Sequence, residues 1–258
     1  MAFDGLGALF GGIILLAYTV QAMTGFGSTV IALSIGIFFY SIDELLPFLV
    51  LSNLLFASAL VIKFHKGFNK HLAFRVILPG TFVGMLLGYG LKPLIDEALL
   101  KSLLGILIVG ISILELKGLF QTNKKAIPTG KMYKQIGPLK VPVLTLASGL
   151  SHGMFASGGP LLVYAIAKFN GNKSQFRATV LVCLFSLNVV LTSFFILDGS
   201  LQPVVPFVIA AMPIMFVAMK IGNALHHKVD EQFFKKGVYT LLLLMGISLV
   251  IHSYQFEI

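Results

Sequence analysis

The chain has 258 residues, of which 57% are hydrophobic and 11% are charged, and its mean hydropathy is +0.94. A water-soluble protein of this size needs a far more polar surface, so the composition indicates an integral membrane protein. The net charge of +9 does not indicate nucleic-acid binding, because the basic residues fall in loops between apolar runs. The single cysteine, Cys183, excludes a disulfide framework and a cysteine metal site. We therefore expect no cofactor, metal or nucleic-acid partner.

The apolar runs predict an all-α polytopic membrane protein built from two similar halves. The first half has a segment interrupted by a glycine-containing break and then three membrane spans, at residues 5–40, 45–62, 72–91 and 98–116. A polar, basic stretch with prolines and glycines follows and predicts a linker. The second half repeats the plan, with a broken segment and three spans at residues 141–167, 178–197, 204–221 and 233–251.

Rare residues recur at a nearly constant offset between the halves, which indicates an internal duplication. The offset is 131 residues from Gly27 to Gly158 and 135 from Asn53 to Asn188. Further pairs are Ser58 with Ser193, Pro79 with Pro213, Gly88 with Gly222, and Asp96-Glu97 with Asp230-Glu231. Chance alignment of two apolar stretches is the competing interpretation, but it does not explain why such rare residues coincide. We predict a first repeat at residues 1–118, a basic cytoplasmic linker at 119–140 and a second repeat at 141–258, within one transmembrane domain.

Lysine and arginine are concentrated in the loops on one side of the predicted membrane. These loops hold Lys63, Lys66, Lys70, Arg75, the six lysines of the linker region, Lys168, Lys173, Arg177, Lys220, Lys228, Lys235 and Lys236. The opposite loops hold only Lys92 and Lys101. The positive-inside rule then places the basic loops in the cytoplasm and both termini outside. No Lys or Arg precedes Lys63, so we expect the N-terminal region to lack a cleaved signal peptide.

Each repeat adds three membrane crossings, an odd number, so the two repeats are predicted to be inverted. Each broken segment begins and ends on one side of the membrane and is therefore predicted to be a re-entrant helical hairpin. The two hairpins are expected to enter from opposite faces. This is an architecture typical of secondary transporters.

Small residues form both breaks. The first consists of Thr24, Gly25, Phe26, Gly27, Ser28 and Thr29, and the second of Ala156, Ser157, Gly158, Gly159 and Pro160. A helix break in hydrocarbon is tolerated only where it is buried in protein or lines a wet cavity. The helix that restarts after each break begins with unpaired N–H groups and about half a positive charge. Two such starts facing each other near the midplane would bind a small anion. The competing interpretation is that Gly and Ser only allow close helix packing.

Two asparagines lie near the middle of intact spans, where a polar side chain needs a partner. Asn53 and Asn188 are predicted to cap the breaks or to line the pathway, and an ordinary interhelical hydrogen bond is the alternative. Gln21, together with Ser148 or Ser151, precedes a break and is a candidate to complete the cavity.

His152 is the only histidine, acid or base in the second hairpin, and the first repeat has no matching histidine. One interpretation is that it carries a proton or contacts the anion directly. The alternative is a neutral, hydrogen-bonded histidine without a role in transport.

The assembled residues resemble the TauE/SafE family of sulfite and organosulfonate exporters. The resemblance rests on Gly25-Phe-Gly-Ser-Thr-Val in the first half and on Gly149-Leu-Ser-His-Gly-Met-Phe-Ala-Ser-Gly-Gly-Pro-Leu-Leu in the second, and it extends over nearly the whole chain. It implies an anion transporter of the bacterial inner membrane, driven by an ion or proton gradient; the chain has no P-loop pattern for ATP. Family members commonly have a fuller glycine cluster where this chain has Ser28 and Thr29, which leaves room for a substrate other than sulfite.

We therefore expect a secondary transporter that moves sulfite, an organosulfonate or a related organic anion. Its repeats would rock around a midplane site between the two breaks, which gives alternating access. An anion channel of the same architecture is the nearest alternative. An intramembrane enzyme would need a nucleophile, base or metal set, for which only His152, Cys183 and scattered hydroxyls are candidates, and a structural subunit would not need two broken hairpins. The expected partners are the anion, the lipid bilayer and a coupling proton or sodium ion, and a homodimer is a further possibility.

Overall fold

The computed structural model describes residues 5–64, 67–121, 140–166, 173–225 and 231–255, and every regular element in these ranges is helical. The α-helices are α1 (Gly5–Thr24), α2 (Ser28–Gly36), α3 (Ile42–Phe64), α4 (Leu78–Leu91), α5 (Glu97–Gln121), α6 (Lys140–Phe155), α7 (Gly159–Ile166), α8 (Lys173–Leu197), α9 (Val205–Leu225) and α10 (Glu231–Gln255). A π-helical turn, Leu72–Ile77, leads into α4, and short 3-10 turns lie at Lys92–Leu94 and Gln202–Val204. The predicted all-helical fold is confirmed.

Helical segments in the described ranges that could cross a membrane coincide with five of the six predicted spans. Those long and apolar enough to cross a membrane are Ile42–Lys63, Leu72–Leu94, Glu97–Leu119, Ala178–Leu197 and Gln202–Leu225. The last predicted span lies in α10, where the apolar stretch is Leu242–Ile251. The helices extend beyond the predicted spans because the polar residues that end each apolar run still adopt helical structure. At the start of α3, the Ser41 hydroxyl accepts from the Glu44 N–H at 3.3 Å, and the Glu44 carboxylate accepts from the Ser41 N–H at 3.4 Å.

The chain doubles back at each break. In the first hairpin, Gly36 at the end of α2 lies against Phe10 near the start of α1, and the rings of Phe10 and Tyr40 are 5.2 Å apart. In the second, the Ser148 hydroxyl donates to the Gly158 carbonyl at 2.7 Å. Helix α2 begins at Ser28 but ends before Tyr40, because residues 37–40 form turns whose N–H groups bond three or four residues back. The membrane face from which each hairpin enters stays a prediction.

The four most extensive helix pairs each join a helix of the first half of the sequence to a helix of the second half. Helix α4 packs on α6, α1 packs on α9, α3 pairs with α8, and α5 pairs with α10. When α1 to α5 are exchanged with α6 to α10 in order, this set of contacts maps onto itself. An internal duplication predicts such a set, although the repeat boundaries and the inversion stay predictions.

The crossing of α4 and α6 brings two backbones into direct contact. A Cβ atom on Gly84 would overlap the Leu146 carbonyl oxygen, and one on Gly149 would overlap the Thr81 carbonyl oxygen. Helix α9 approaches α1 in the same manner, because a Cβ atom on Gly222 would lie 2.6 Å from an α1 carbonyl oxygen. Small residues permit this close approach between membrane helices.

Several charged residues on which the sidedness and repeat predictions depend lie outside the described residues. They include Lys66, Lys168, Lys228, Asp230 and most of the linker. At the linker ends, α5 continues to Gln121 and α6 begins at Lys140. The sidedness of the loops and of the termini therefore stays a prediction.

Candidate functional site

The two breaks meet at a small buried space, which we call the central cavity. Both hairpins contribute to its wall, together with one face of α3 and one face of α8. The lining residues are Gln21, Phe26, Gly27, Thr29, Val30, Asn53, His152, Ala156, Ser157, Gly159, Pro160, Leu184 and Asn188. The volume open to the centre of a water molecule is about 20 Å³, which is room for one water-sized group.

The first break depends on two glycines in an unusual backbone conformation. Gly25 has a φ of 92° and Gly27 a φ of 100°, values that L-residues with side chains rarely adopt. No atom lies within 4 Å of a Cβ atom built on Gly27, so the restriction there is conformational and not steric. Helix α2 follows at once without a side-chain cap, and Ile31 N–H donates to the Gly27 carbonyl at 3.1 Å to close its first turn. The N–H groups of that turn have no partner within the helix.

The second break is held by its own hydroxyls. Ser148 donates to the Gly158 carbonyl at 2.7 Å, and Ser157 donates to the Phe155 carbonyl at 2.8 Å. Ala156 has a φ of 51°, a left-handed conformation that costs a non-glycine residue about 1–2 kcal/mol. These bonds fix the loop in that conformation. The serine hydroxyls donate to backbone, so the donors that face the cavity on this side must come from other groups.

Helix α7 starts at the cavity wall. Gly159 and Pro160 are its first residues, and Leu162 N–H donates to the Gly158 carbonyl at 3.0 Å. Proline is favoured in the first turn because an N–H there has no partner in the helix. The positive end of the α7 dipole therefore adjoins the central cavity, as does that of α2.

Asn53 of α3 is the centre of a buried hydrogen-bond network. Its Nδ2 donates to Ser28 Oγ and Thr29 Oγ1, both at 3.0 Å. Its Oδ1 accepts from Gln21 Nε2 at 3.2 Å and from Asn188 Nδ2 at 3.4 Å. Since the Thr29 hydroxyl oxygen accepts from Asn53, its own hydrogen remains available to donate elsewhere. For Thr29, which lines the cavity, a ligand there is within the reach of that hydrogen.

His152 lies on α6, one turn before the second break. It is 1% exposed, and neither ring nitrogen has a hydrogen-bond partner among the described residues. The Asn188 side chain is a polar neighbour but is outside hydrogen-bond geometry. An imidazole carries at least one N–H donor, so burial without a partner is unfavourable unless a water or a ligand in the cavity supplies one. That His152 carries a proton or contacts the anion stays a prediction.

Ten of the predicted site residues line the central cavity. Three others support it from behind: Gly25 N–H donates to the Gln21 carbonyl at 2.7 Å, Ser28 accepts from Asn53, and the Gly158 carbonyl accepts from Ser148. The side chain of Thr24 lies outside the described part of the chain. That these residues bind substrate stays a prediction.

Sequence reasoning missed two apolar residues of the lining, Val30 and Leu184. Leu184 lies four residues before the asparagine of α8, and this helical spacing is a signal that could have found it. Val30 has no such signal. Gln21 does line the cavity, whereas the two serine candidates of α6, Ser148 and Ser151, donate to backbone carbonyls of their own hairpin.

The chemistry of the lining suits a small anion with several acceptor oxygens. Among the lining residues of the central cavity, His152 is the single acidic, basic or histidine side chain. The Thr29 hydroxyl and the Asn188 amide can donate, and two helix starts add positive potential. The described residues contain no cluster of three or more His, Cys, Asp or Glu side chains that could hold a metal ion.

Comparison with known proteins points to membrane transport. The sequence profile of the family described as Sulfite exporter TauE/SafE matches residues 10–249. The chain is also similar to a Comamonas testosteroni protein named Probable inner membrane transporter protein TsaS, with 25% identity over 197 residues that cover 74% of this chain and 78% of that protein. No solved structure gives a significant match. These matches and the apolar helices indicate a multi-pass membrane transporter.

Proposed function

This chain belongs to the sulfite exporter TauE/SafE family, and we propose that it is a secondary transporter that carries sulfite or an organosulfonate across the cytoplasmic membrane. The observation that carries the proposal is the central cavity, where two helix starts from the two halves converge and no lysine or arginine is among the described lining residues. Transport would proceed by alternating access, in which the cavity opens to each side of the membrane in turn.

Sulfite and sulfonate groups match the donors of the central cavity. Each carries three oxygens that accept several hydrogen bonds at once. The N–H groups at the start of α2, the Thr29 hydroxyl and the Asn188 amide can donate to them, and helix N-termini bind such anions without a charged side chain. In this proposal Asn53 is a positioning residue, because it fixes the Thr29 hydroxyl through the bond at 3.0 Å.

The small size of the cavity favours a carrier over a channel. A channel needs a continuous polar path, whereas the central cavity has room for about one water-sized group (20 Å³). An oxyanion would fit only if the starts of α2 and α7 moved apart. Binding and conformational change are then linked, which is the requirement for alternating access.

Thermal-shift measurements on the purified protein can identify the substrate class. The panel is sulfite, methanesulfonate, sulfoacetate, taurine, sulfate and acetate, since a ligand of the folded state raises the melting temperature. The ligand with the largest effect is then followed into proteoliposomes. Saturable flux that accelerates when the same anion is present on the opposite side indicates a carrier, and flux proportional to concentration indicates a channel.

A pair of isosteric variants tests the location of the site. Thr29→Val removes the hydroxyl and keeps the side-chain shape, and Thr240→Val makes the same change at an exposed position of α10. Hydrogen bonds to charged groups contribute about 1.5–3 kcal/mol, so Thr29→Val should weaken anion binding by roughly ten- to a hundredfold. The Thr240 variant should bind as wild type does. Equal affinity in both variants would exclude Thr29 from the site.

A further inference from the structure

We infer that His152 binds a proton together with the anion in the central cavity, so that the protein moves the two in the same direction as a proton–anion symporter. The inference rests on the proposed function, because it assigns the coupling ion of the same site. It also names the side chain that takes up that ion.

Position and environment single out His152. His152 is one of the residues that line the cavity, and its side chain is 1% exposed. Both ring nitrogens lack a hydrogen-bond partner in the described structure. An anion in the cavity would therefore adjoin a ring that has an N–H to donate and a second nitrogen free to take up a proton.

No other described titratable side chain on the surrounding elements lines the cavity. Those side chains are Asp43, Glu44 and Lys63 on α3, Tyr18 on α1, Tyr89 on α4, Arg75 in the π-helical turn and Cys183 on α8. Two of them are bonded elsewhere: Tyr89 Oη donates to Asp198 at 2.6 Å, and Asp43 pairs with Lys92 at 2.6 Å. A proton that enters with the anion has His152 as its acceptor in this wall.

Charge balance couples the two ligands. An imidazolium in the empty cavity would be an isolated buried charge, which is strongly unfavourable. An anion beside neutral His152 would be balanced only by the partial charges of the helix starts. Each ligand therefore favours the binding of the other, and this coupling is reciprocal. Ligands that bind and leave together cross the membrane in the same direction, whereas antiport requires that each disfavour the other.

Calorimetry counts the proton directly. The probe is methanesulfonate, which stays fully ionised near neutral pH, and titrations in two buffers of different ionisation enthalpy give the protons taken up per anion bound. We expect about one proton per anion for the wild type at about pH 8, where histidine starts neutral. His152→Gln should bind with no proton uptake. His71→Gln, which removes an exposed histidine outside the cavity, should behave as wild type does.

The possible outcomes separate the two proposals. Equal proton uptake by wild type and His152→Gln, or binding by wild type without uptake, overturns the proton inference and leaves the transporter standing. Failure of both methanesulfonate and sulfite to bind overturns the proposed function and the inference with it. If His152→Gln does not fold, the wild type alone decides, because its Kd for methanesulfonate should rise about tenfold per pH unit above the titration of His152. A Kd independent of pH overturns the inference.

Flux measurements give the direction. Proteoliposomes contain a pH-sensitive dye, and the membrane potential is clamped while an inward methanesulfonate gradient is imposed. Wild type should acidify the interior in step with anion uptake, and His152→Gln should not acidify it. Alkalinisation of the interior by the wild type would indicate antiport and would contradict the inference.

Discussion

Asn188 and Asn53, which are 135 residues apart in the chain, meet at the central cavity, where Asn188 Nδ2 donates to Asn53 Oδ1 at 3.4 Å. This distance is long for a hydrogen bond, whereas the bonds from Asn53 to Ser28 and Thr29 are both 3.0 Å. Asn53 is thus held tightly to the first hairpin, and Asn188 is attached to it weakly. The amide of Asn188 can turn to a ligand at little cost.

Asn188→Asp should abolish anion binding at neutral pH. The change keeps the shape of the side chain and places a carboxylate in the cavity wall, where repulsion at close range should weaken binding by roughly a hundredfold or more. Asn69→Asp is the matched control, because Asn69 Oδ1 accepts from Leu72 N–H at 3.0 Å outside the cavity and a carboxylate preserves that bond. Calorimetry of both variants provides the comparison. Similar affinities would remove Asn188 from the site.

Asn53→Leu should destabilise the protein more than Asn188→Leu. Loss of Asn53 leaves Ser28, Thr29 and Gln21 without the partner that joins them, and each buried polar group left unpaired costs about 1–3 kcal/mol. Among the described residues, loss of Asn188 removes the long bond to Asn53 and leaves the first-hairpin network in place. Melting temperatures in detergent should fall in that order, and a reversed order would contradict the network described above.

Gly27→Ala should lower stability although it creates no steric overlap. An alanine there must adopt a φ of about 100°, at a cost of about 1–2 kcal/mol, or else shift the start of α2. Gly110→Ala in α5, where a Cβ atom also meets no atom within 4 Å, should instead raise helix stability by up to about 1 kcal/mol. Thermal unfolding of the pair separates backbone conformation from packing. A common direction of change would argue against a conformational role for Gly27.

Gly84→Ala should destabilise the α4–α6 crossing. Its methyl group would overlap the Leu146 carbonyl oxygen, and overpacking of this kind costs about 1–3 kcal/mol. Gly90→Ala in the same helix meets open space and should be neutral or mildly stabilising. Unfolding midpoints of the two variants test the crossing, and equal midpoints would show that α4 and α6 can move apart without loss.

Asp198, just beyond the end of α8, makes stability depend on pH. Tyr89 donates to it at 2.6 Å, and the Ser200 hydroxyl and N–H donate at 2.6 and 2.9 Å. Partial burial raises the pKa of Asp198, but these bonds and the charge of Lys92 outweigh it and hold the pKa below its ordinary value. Because the folded-state pKa is the lower one, the ionised carboxylate stabilises the fold above the unfolded-state pKa of about 3.9.

That contribution should disappear on acidification. Asp198→Asn is expected to lower the melting temperature at neutral pH, and the difference from wild type should close as the pH falls through the folded-state pKa. Tyr89→Phe should remove part of the same difference, since it deletes one of the donors. Melting curves from about pH 7 to about pH 3 test this. A difference that stays constant over the range would assign the effect to something other than ionisation.

The fold and much of the candidate site were predictable because a bilayer limits what a chain can do. Apolar length predicted the spans, and Gly25, Gly27 and Gly158 marked the breaks because these glycines cluster with hydroxyl side chains inside otherwise apolar segments. Contacts between helices that are distant in sequence were harder to predict. The spacing of Gly84 and Gly88 indicates a close crossing but does not name α6 as the partner. The direction of a hydroxyl is likewise set by tertiary structure, so Ser148 could not be assigned to the Gly158 carbonyl from sequence.

The close helix crossings bear on which helices would move together during transport. The first hairpin, α1 with α2, is fastened to α9, and the second, α6 with α7, is fastened to α4, so each hairpin is anchored on a helix of the other half. A motion that opens the cavity between the hairpins would carry those anchors along. Each rigid body would then contain helices from both predicted repeats, and the hinges would lie within each repeat. Under the proposed mechanism, the predicted repeat would not be the segment that moves.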